Sequence, residues 1–176
     1  MDLYEAIRAS HSCSSFQTRP VPEEKVRAVV AAARLAPSQA NLQPWRFVVV
    51  RDEELKRQIA HACPRGKVVA EAPVVIVAFA LEEDIPITVG GYISTYPLDV
   101  AVAVHQLRLA AVAEGLGTCW IVDFHEEKLR RALQVPEGIH PIAVLPLGYP
   151  GEPNGSSAPE GRKSPDEIIG YDRYPA

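Results

Sequence analysis

Cysteine is scarce in this 176-residue chain: Cys13, Cys63 and Cys119 are odd in number and far apart. That argues against a disulfide framework and against the paired spacing of a zinc ribbon; the three read as buried small hydrophobes. A basic excess is also missing. Twenty-two acids against 18 bases leave a formal net charge of −4, with both signs interspersed, so no cationic face for nucleic acid is expected. Long apolar runs are lacking too. Residues 72–81 are too few to cross a bilayer, and Asp2 and Glu5 stand where a secretory signal would carry bases. A soluble, cytoplasmic protein is expected, with neither membrane nor nucleic acid as partner.

Other absences narrow the chemistry. Gly115-Leu116-Gly117 lacks the third glycine of a phosphate loop and follows a helix, where glycines commonly cap. His11, His61, His105, His125 and His140 have no metal-ligand spacing. Ser10, Ser12, Ser14 and Ser15 have no elbow glycines around them, so a hydrolase nucleophile is not indicated.

What is present is an ordinary globular composition, 47% hydrophobic and 23% charged, of a length that suits one domain, 1–176. Leu3, Ala6 and Ile7 recur at helical spacing and predict a short helix ending in the polar stretch 10–15. Pro22, Glu23 and Glu24 open a second helix, proline in the first turn and acids facing the positive end of the dipole; Val26, Val29, Val30 and Ala33 form its apolar face. Trp45–Val50 reads as a strand, 53–62 as a charged helix, 72–81 as a buried strand and 82–96 as a loop. Residues 97–115 form the longest helix, apolar on nearly every face, which predicts cover by the core and by a second subunit. A short strand at 119–122, a helix at Glu126–Leu133 and a last core strand at 142–147 follow. Helices and strands mix without regular alternation, so an α+β fold is expected.

One loop stands out. Pro37-Ser38-Gln39-Ala40-Asn41-Leu42-Gln43-Pro44-Trp45 runs from a helix straight into a strand. Its prolines and Asn41 restrict the backbone, and its amides can hydrogen-bond a planar heteroaromatic ring. A well-capped turn is the plainer reading of the same residues.

Pro37-Ser38-x-x-Asn41-x-Gln43-Pro44-Trp45 resembles the FMN-holding loop of the nitroreductase-like FMN-dependent oxidoreductases. Gly115-Leu116-Gly117-Thr118-Cys119-Trp120-Ile121 resembles their second motif. Ala6-Ile7-Arg8 through Phe16 is similar to their N-terminal phosphate segment, and Arg162-Lys163-Ser164-Pro165 to their terminal basic motif. The likeness runs from residue 2 to 173 in order. It implies a central, mainly antiparallel sheet flanked by helices and a homodimer interlocked through the long helix, with 148–176 a tail wrapping the partner. FMN would lie between subunits. One would supply His11, Ser12, Ser14, Arg162 and Lys163, the other Pro37, Ser38, Gln39, Asn41 and Gln43, with backbone around Cys119 to Val122, including Trp120 and Ile121, beside the ring. NAD(P)H would be the electron donor, and a nitroaromatic, quinone or related small molecule the acceptor, by ping-pong hydride transfer with no catalytic side chain named.

The chain departs from that pattern where cations are usual, at Ser10 and Ser14, and carries Val122 where glycine is common. Charge-assisted bonds are roughly twice as strong as neutral ones, so FMN is expected to be held more weakly unless another cation compensates. Arg8, Arg19, Arg65 and Arg162-Lys163 are the cations considered. An alternative on the same scaffold is a flavin-poor binding or regulatory protein; a flavin-destroying or dehalogenating branch is a third.

Overall fold

Eight residues, Val74–Leu81, form the middle of the molecule because none of their side chains needs water: seven are buried and the last half-buried. A strand turns successive side chains to opposite faces, and here each face has its own core. Val74, Ile76, Ala78 and Ala80 join one cluster, while Val75, Val77 and Phe79 join the other. The computed structural model describes residues 1–82, 88–152 and 161–174, and the elements below are those of the described residues.

Four strands make the sheet. β1 (Trp45–Val50) lies at one edge and β2 (Val74–Leu81) beside it. β5 (Gly117–Thr118) forms the other edge, next to β6 (Ile139–Gly148). The order is β1-β2-β6-β5, and every pairing is antiparallel. A register shift at Ala78/Phe79 interrupts the β2–β6 ladder. A separate two-residue hairpin pairs β3 (Thr88–Val89) with β4 (Ile93–Ser94).

Helices cover both faces, as the α+β expectation requires. α1 (Leu3–Ala9) starts on a capping box in which Asp2 and Glu5 satisfy each other's backbone N–H. On one face α2 (Glu23–Ala33) packs against α5 (Tyr96–Ala113), burying Val26, Val29 and Ala33 against Val100, Ala103, Val104 and Leu107. On the other face lie α3 (Glu53–His61), α4 (Gly66–Glu71) and α6 (Glu126–Leu133), whose Ile59, Val69 and Leu129 are fully buried. Buried Lys56 of α3 donates to the Ala72 carbonyl at 2.8 Å and pairs with Glu53 at 2.8 Å, so its charge is answered.

α5 ends in a Schellman motif: Leu116 N–H donates to Ala111 O and Gly115 N–H to Val112 O. Gly115 holds φ +74°, a conformation that suits glycine. This turn aims the chain into β5. A short α7 (Pro165–Ile168) carries its own capping box between Ser164 and Glu167.

The sequence reading differs in places. α4 was not expected. The short strand read at 119–122 lies earlier, at β5, and Ile121 adds only an isolated bridge to Val144. The stretch read as the loop 82–96 contains the β3–β4 hairpin around Gly90-Gly91. Residues 83–87 of that loop, and 153–160 and 175–176 of the tail, lie outside the described residues.

Candidate functional site

The Gly115 turn delivers Gly117–Thr118 to the sheet edge, and the segment after α1 lies down beside it. Ser12 and Thr118 form a parallel bridge, with Cys13 N–H donating to Thr118 O at 2.9 Å. Gly151 N–H donates to Ser15 O and Gln17 N–H to Tyr149 O, so the same segment is also fastened to the end of β6. Two stretches about a hundred residues apart in sequence thus become neighbours: 11–14 and 117–121.

Alternation then sorts their side chains. Cys13, Gly117, Cys119 and Ile121 face the α3/α4/α6 layer; Cys119 and Ile121 join its core, and a Cβ on Gly117 would meet Cys13 Sγ at 2.1 Å. Ser12, Thr118 and Trp120 face the α5 layer. There Arg108 Nε donates to Thr118 Oγ1 at 3.3 Å, and the guanidinium carbon lies 5.6 Å from the Trp120 ring centroid. Burial pushes the Cys13 and Cys119 thiols up, Cys13 also through the neighbouring Cys119. The three cysteines are free and buried, as expected of small core residues.

Buried polar atoms without partners mark this region. His11 Nδ1 donates to the Ala9 carbonyl at 2.8 Å, which leaves Nε2 buried with no partner among the described residues. Trp120 Nε1 is a buried donor with no acceptor among the described residues. Such atoms usually find partners. The pair fits a ligand with both donors and acceptors on a planar ring, as FMN has.

The 37–43 loop is built at the other end of α5. The Gln39 N–H donates to both carboxylate oxygens of Asp99, at 3.2 and 3.3 Å. The Gln43 N–H donates to Ser38 Oγ at 2.9 Å, and Gln43 Nε2 reaches Asn41 O and Oδ1 at 3.3 Å. Ala40, Asn41 and Gln43 all hold positive φ, 48°, 58° and 50°. Non-glycine residues rarely do so, and a cluster of them stores strain that surrounding bonds must hold. Pro37, Gln39, Asn41 and Gln43 are exposed and Ser38 half-buried, so the side-chain amides of Asn41 and Gln43, though bonded to each other, can be reached by a ligand.

The expected site residues therefore fall into separate groups. His11, Ser12, Ser14, Trp120 and Ile121 are brought together; Ile121 is buried and turned to the far face. Pro37, Ser38, Gln39, Asn41 and Gln43 form a second group anchored on the first turn of α5. Arg162 and Lys163 are exposed, on a tail whose residues 161–174 are all exposed. Asp99 and Arg108 escaped the sequence reading because each looks like one more charge on a helix. A groove of about 440 Å³ between α2 and β1, lined by Val26, Arg27, Val30, Trp45 and Phe47 among others, contains none of these residues. Among the described residues no cluster of His, Cys, Asp or Glu could hold a metal, and no helix is long and apolar enough to cross a membrane.

Comparison with known proteins identifies the family of the fold. The Nitroreductase family model matches residues 7–66 and 60–149. A protein of Methanothermobacter thermautotrophicus, described as a candidate NADH dehydrogenase/NAD(P)H nitroreductase, is 36% identical over 89% of this chain and 81% of its own. The 5,6-dimethylbenzimidazole synthase of Rhodospirillum rubrum is 32% identical over 78% of this chain and 76% of its own. The crystal structure of a nitroreductase family protein from Clostridium novyi superposes with a TM-score of 0.81 at 34% identity, covering 86% of this chain and 87% of that one.

Proposed function

Because the chain belongs to the Nitroreductase family, and so to a family of oxidoreductases, we propose that it is an FMN-dependent NAD(P)H oxidoreductase. It acts as a homodimer on nitroaromatic, quinone or related acceptors. The relatives carry the names of different reactions, so the acceptor class rests on this reading and not on the family. The observation that carries it is the Ser12–Thr118 bridge. It lays the N-terminal segment against the turn after α5, with His11 Nε2 and Trp120 Nε1 buried beside it and unpartnered.

When bound, FMN would supply two-electron hydride chemistry between NAD(P)H and a second substrate that shares its place, the basis of ping-pong turnover. The protein's own work is positioning and charge. Ser12, Ser14 and His11 hold the cofactor from one side, with Arg162 and Lys163 brought in by the tail. Trp120 offers its indole N–H, and the backbone of 119–122 borders the ring. From the partner chain, Asn41 and Gln43 present amides on a loop already fixed by Ser38 and Asp99. Donors fixed before the ligand arrives need no reorganisation when charge builds up on it.

The apolar face of α5 supports the dimer. Leu98 and Val102 are exposed on it at 48% and 42%, spaced i, i+4 and so on one stripe. Leu3, Tyr4 and Ile7 of neighbouring α1 are exposed as well. Exposed apolar side chains clustered on neighbouring helices fit an association site. In this reading two-fold pairing brings the loop end of one α5 to the Thr118 end of the other, and 148–176 wraps the partner.

The test is to purify the protein, record its absorption, and identify any released flavin. Steady-state rates with NADH or NADPH and a quinone should give parallel double-reciprocal lines. A colourless protein that takes up no FMN would refute the reading in favour of a flavin-poor binding protein.

A further inference from the structure

No lysine or arginine stands between Arg8 and Arg19, so the segment placed against β5 offers a phosphate hydroxyls, backbone N–H groups and the His11 ring, but no lysine or arginine. A dianion in a partly enclosed site needs a positive charge. Four cations in the described residues are buried or half-buried: Lys25, Lys56, Arg108 and Arg130. Lys25 pairs with Glu114, Lys56 with Glu53 and Arg130 with Glu126. Among the described residues Arg108 has no carboxylate. Its neighbours are the Thr118 hydroxyl, the Trp120 ring and the thiols of Cys13 and Cys119.

Position makes the exception informative. Residues paired across a parallel bridge direct their side chains to the same face, so Ser12 shares a face with Thr118, to which Arg108 is bonded. That bond uses Nε alone, and Nη1 and Nη2 make no hydrogen bond in the described residues. A guanidinium offers five donors in a fixed fork that matches phosphate. Here one donor and the Trp120 ring fix its orientation, and the other four are left over. Burial also pulls its pKa down, the direction expected where a charge lacks a counter-ion.

We propose that Arg108 is a phosphate-binding cation of the cofactor site, supplying from α5, beside the tail's Arg162 and Lys163, charge that Ser10 and Ser14 do not. This rests on the FMN reading above. Arg108 would hold the phosphate from the α5 side while Ser12 holds it from the segment, and the indole of Trp120 would keep the fork from swinging away. The ligand chemistry is a phosphate monoester on a flavin; riboflavin, which lacks it, gains nothing from Arg108.

Isothermal titration of FMN and of riboflavin into the cofactor-stripped full chain tests this, with Arg108→Gln and Arg108→Lys beside the parent. Arg108→Gln should raise the FMN dissociation constant at least tenfold and change riboflavin less than twofold. Arg108→Lys should fall between, because lysine is a point charge without the fork. Cofactor-free Arg108→Gln should melt no lower than the parent, since it loses an unpaired charge. If Arg108→Gln does not fold, the Arg108→Lys titration decides by the same selective loss of FMN. Equal losses for both ligands, or no loss for either, would overturn the proposal while leaving the flavin reading intact. A parent that binds neither FMN nor riboflavin would overturn the flavin reading itself, and this proposal with it.

Discussion

Asp99 and Gln39 lie 60 residues apart in the chain and meet at the start of α5, where both carboxylate oxygens accept from the one backbone N–H. The bond explains how a loop with three positive-φ residues stays in place. Hydrogen bonds to charged groups contribute about 1.5–3 kcal/mol, less where water competes. Asp99→Ala should therefore lower unfolding free energy by about 1 kcal/mol in urea titration and weaken FMN several-fold. Asp99→Asn keeps an acceptor and should lose less of both. Equal behaviour of Asp99→Ala and the parent in both assays would mean that the bond holds nothing.

Asn41 combines a backbone role with a proposed ligand role, and two substitutions separate them. Glycine tolerates φ 58° and alanine does so poorly. Asn41→Gly should keep thermal stability close to the parent, yet raise the FMN dissociation constant about fivefold or more, the lower end of an unpaired hydrogen-bond partner. Asn41→Ala should lose affinity and also about 1 kcal/mol of stability. Unchanged affinity in Asn41→Gly would reduce the loop to a turn.

Gly117 lies under Cys13, and a Cβ there would come within 2.1 Å of Cys13 Sγ, far inside contact distance. Overpacking of this kind typically costs about 1–3 kcal/mol. Gly117→Ala should be destabilised by that order, and Cys13→Ala should recover part of the loss in the double variant. Additive losses in the cycle would show that the two do not touch.

Burial, with Asp123 nearby, pushes the Cys63 thiol from about 9.0 up to about 11. Below pH 9 the thiol is neutral in both folded and unfolded chains. Between 9 and 11 only the unfolded chain ionises, so stability falls as pH rises, by about 1–2 kcal/mol across that window. Urea midpoints at pH 8, 9 and 10 should decline for the parent and decline less for Cys63→Ala. Parallel curves would deny Cys63 any part in it.

Light scattering at micromolar protein should return about twice the 19.2 kDa chain mass. Val102→Glu puts a charge on the exposed apolar stripe of α5 and should yield a folded monomer that no longer takes up FMN. A monomeric Val102→Glu that binds FMN as the parent does would separate the site from the dimer.

Legibility followed the strength of local signals. Trp45–Val50 and Glu126–Leu133 were read to the residue, since β-rich runs closed by Arg51-Asp52, or acids opening and bases closing a helix, announce themselves. α4 was missed because six residues after Pro64 and Arg65 carry no side-chain cap. The β3–β4 strands have two residues each, too short for any period. The candidate ligand residues were legible only as motifs. What ties them in place was not, because Asp99 and Arg108 act on partners 60 and 10 residues away, and spacing along one helix does not reveal where each will reach.

α5 holds one half of the candidate site at each of those two residues. They are nine positions apart, which at 100° per residue sets them on opposite sides of the helix and at about 1.5 Å per residue roughly 13 Å apart along it. The helix is therefore a gauge with two marks, and its phase matters as much as its surface. Removing or adding one residue between the marks would turn Asp99 by about 100° relative to Arg108. The loop and the β5 edge could not both stay seated. Such a helix can exchange many side chains while its residue count stays fixed.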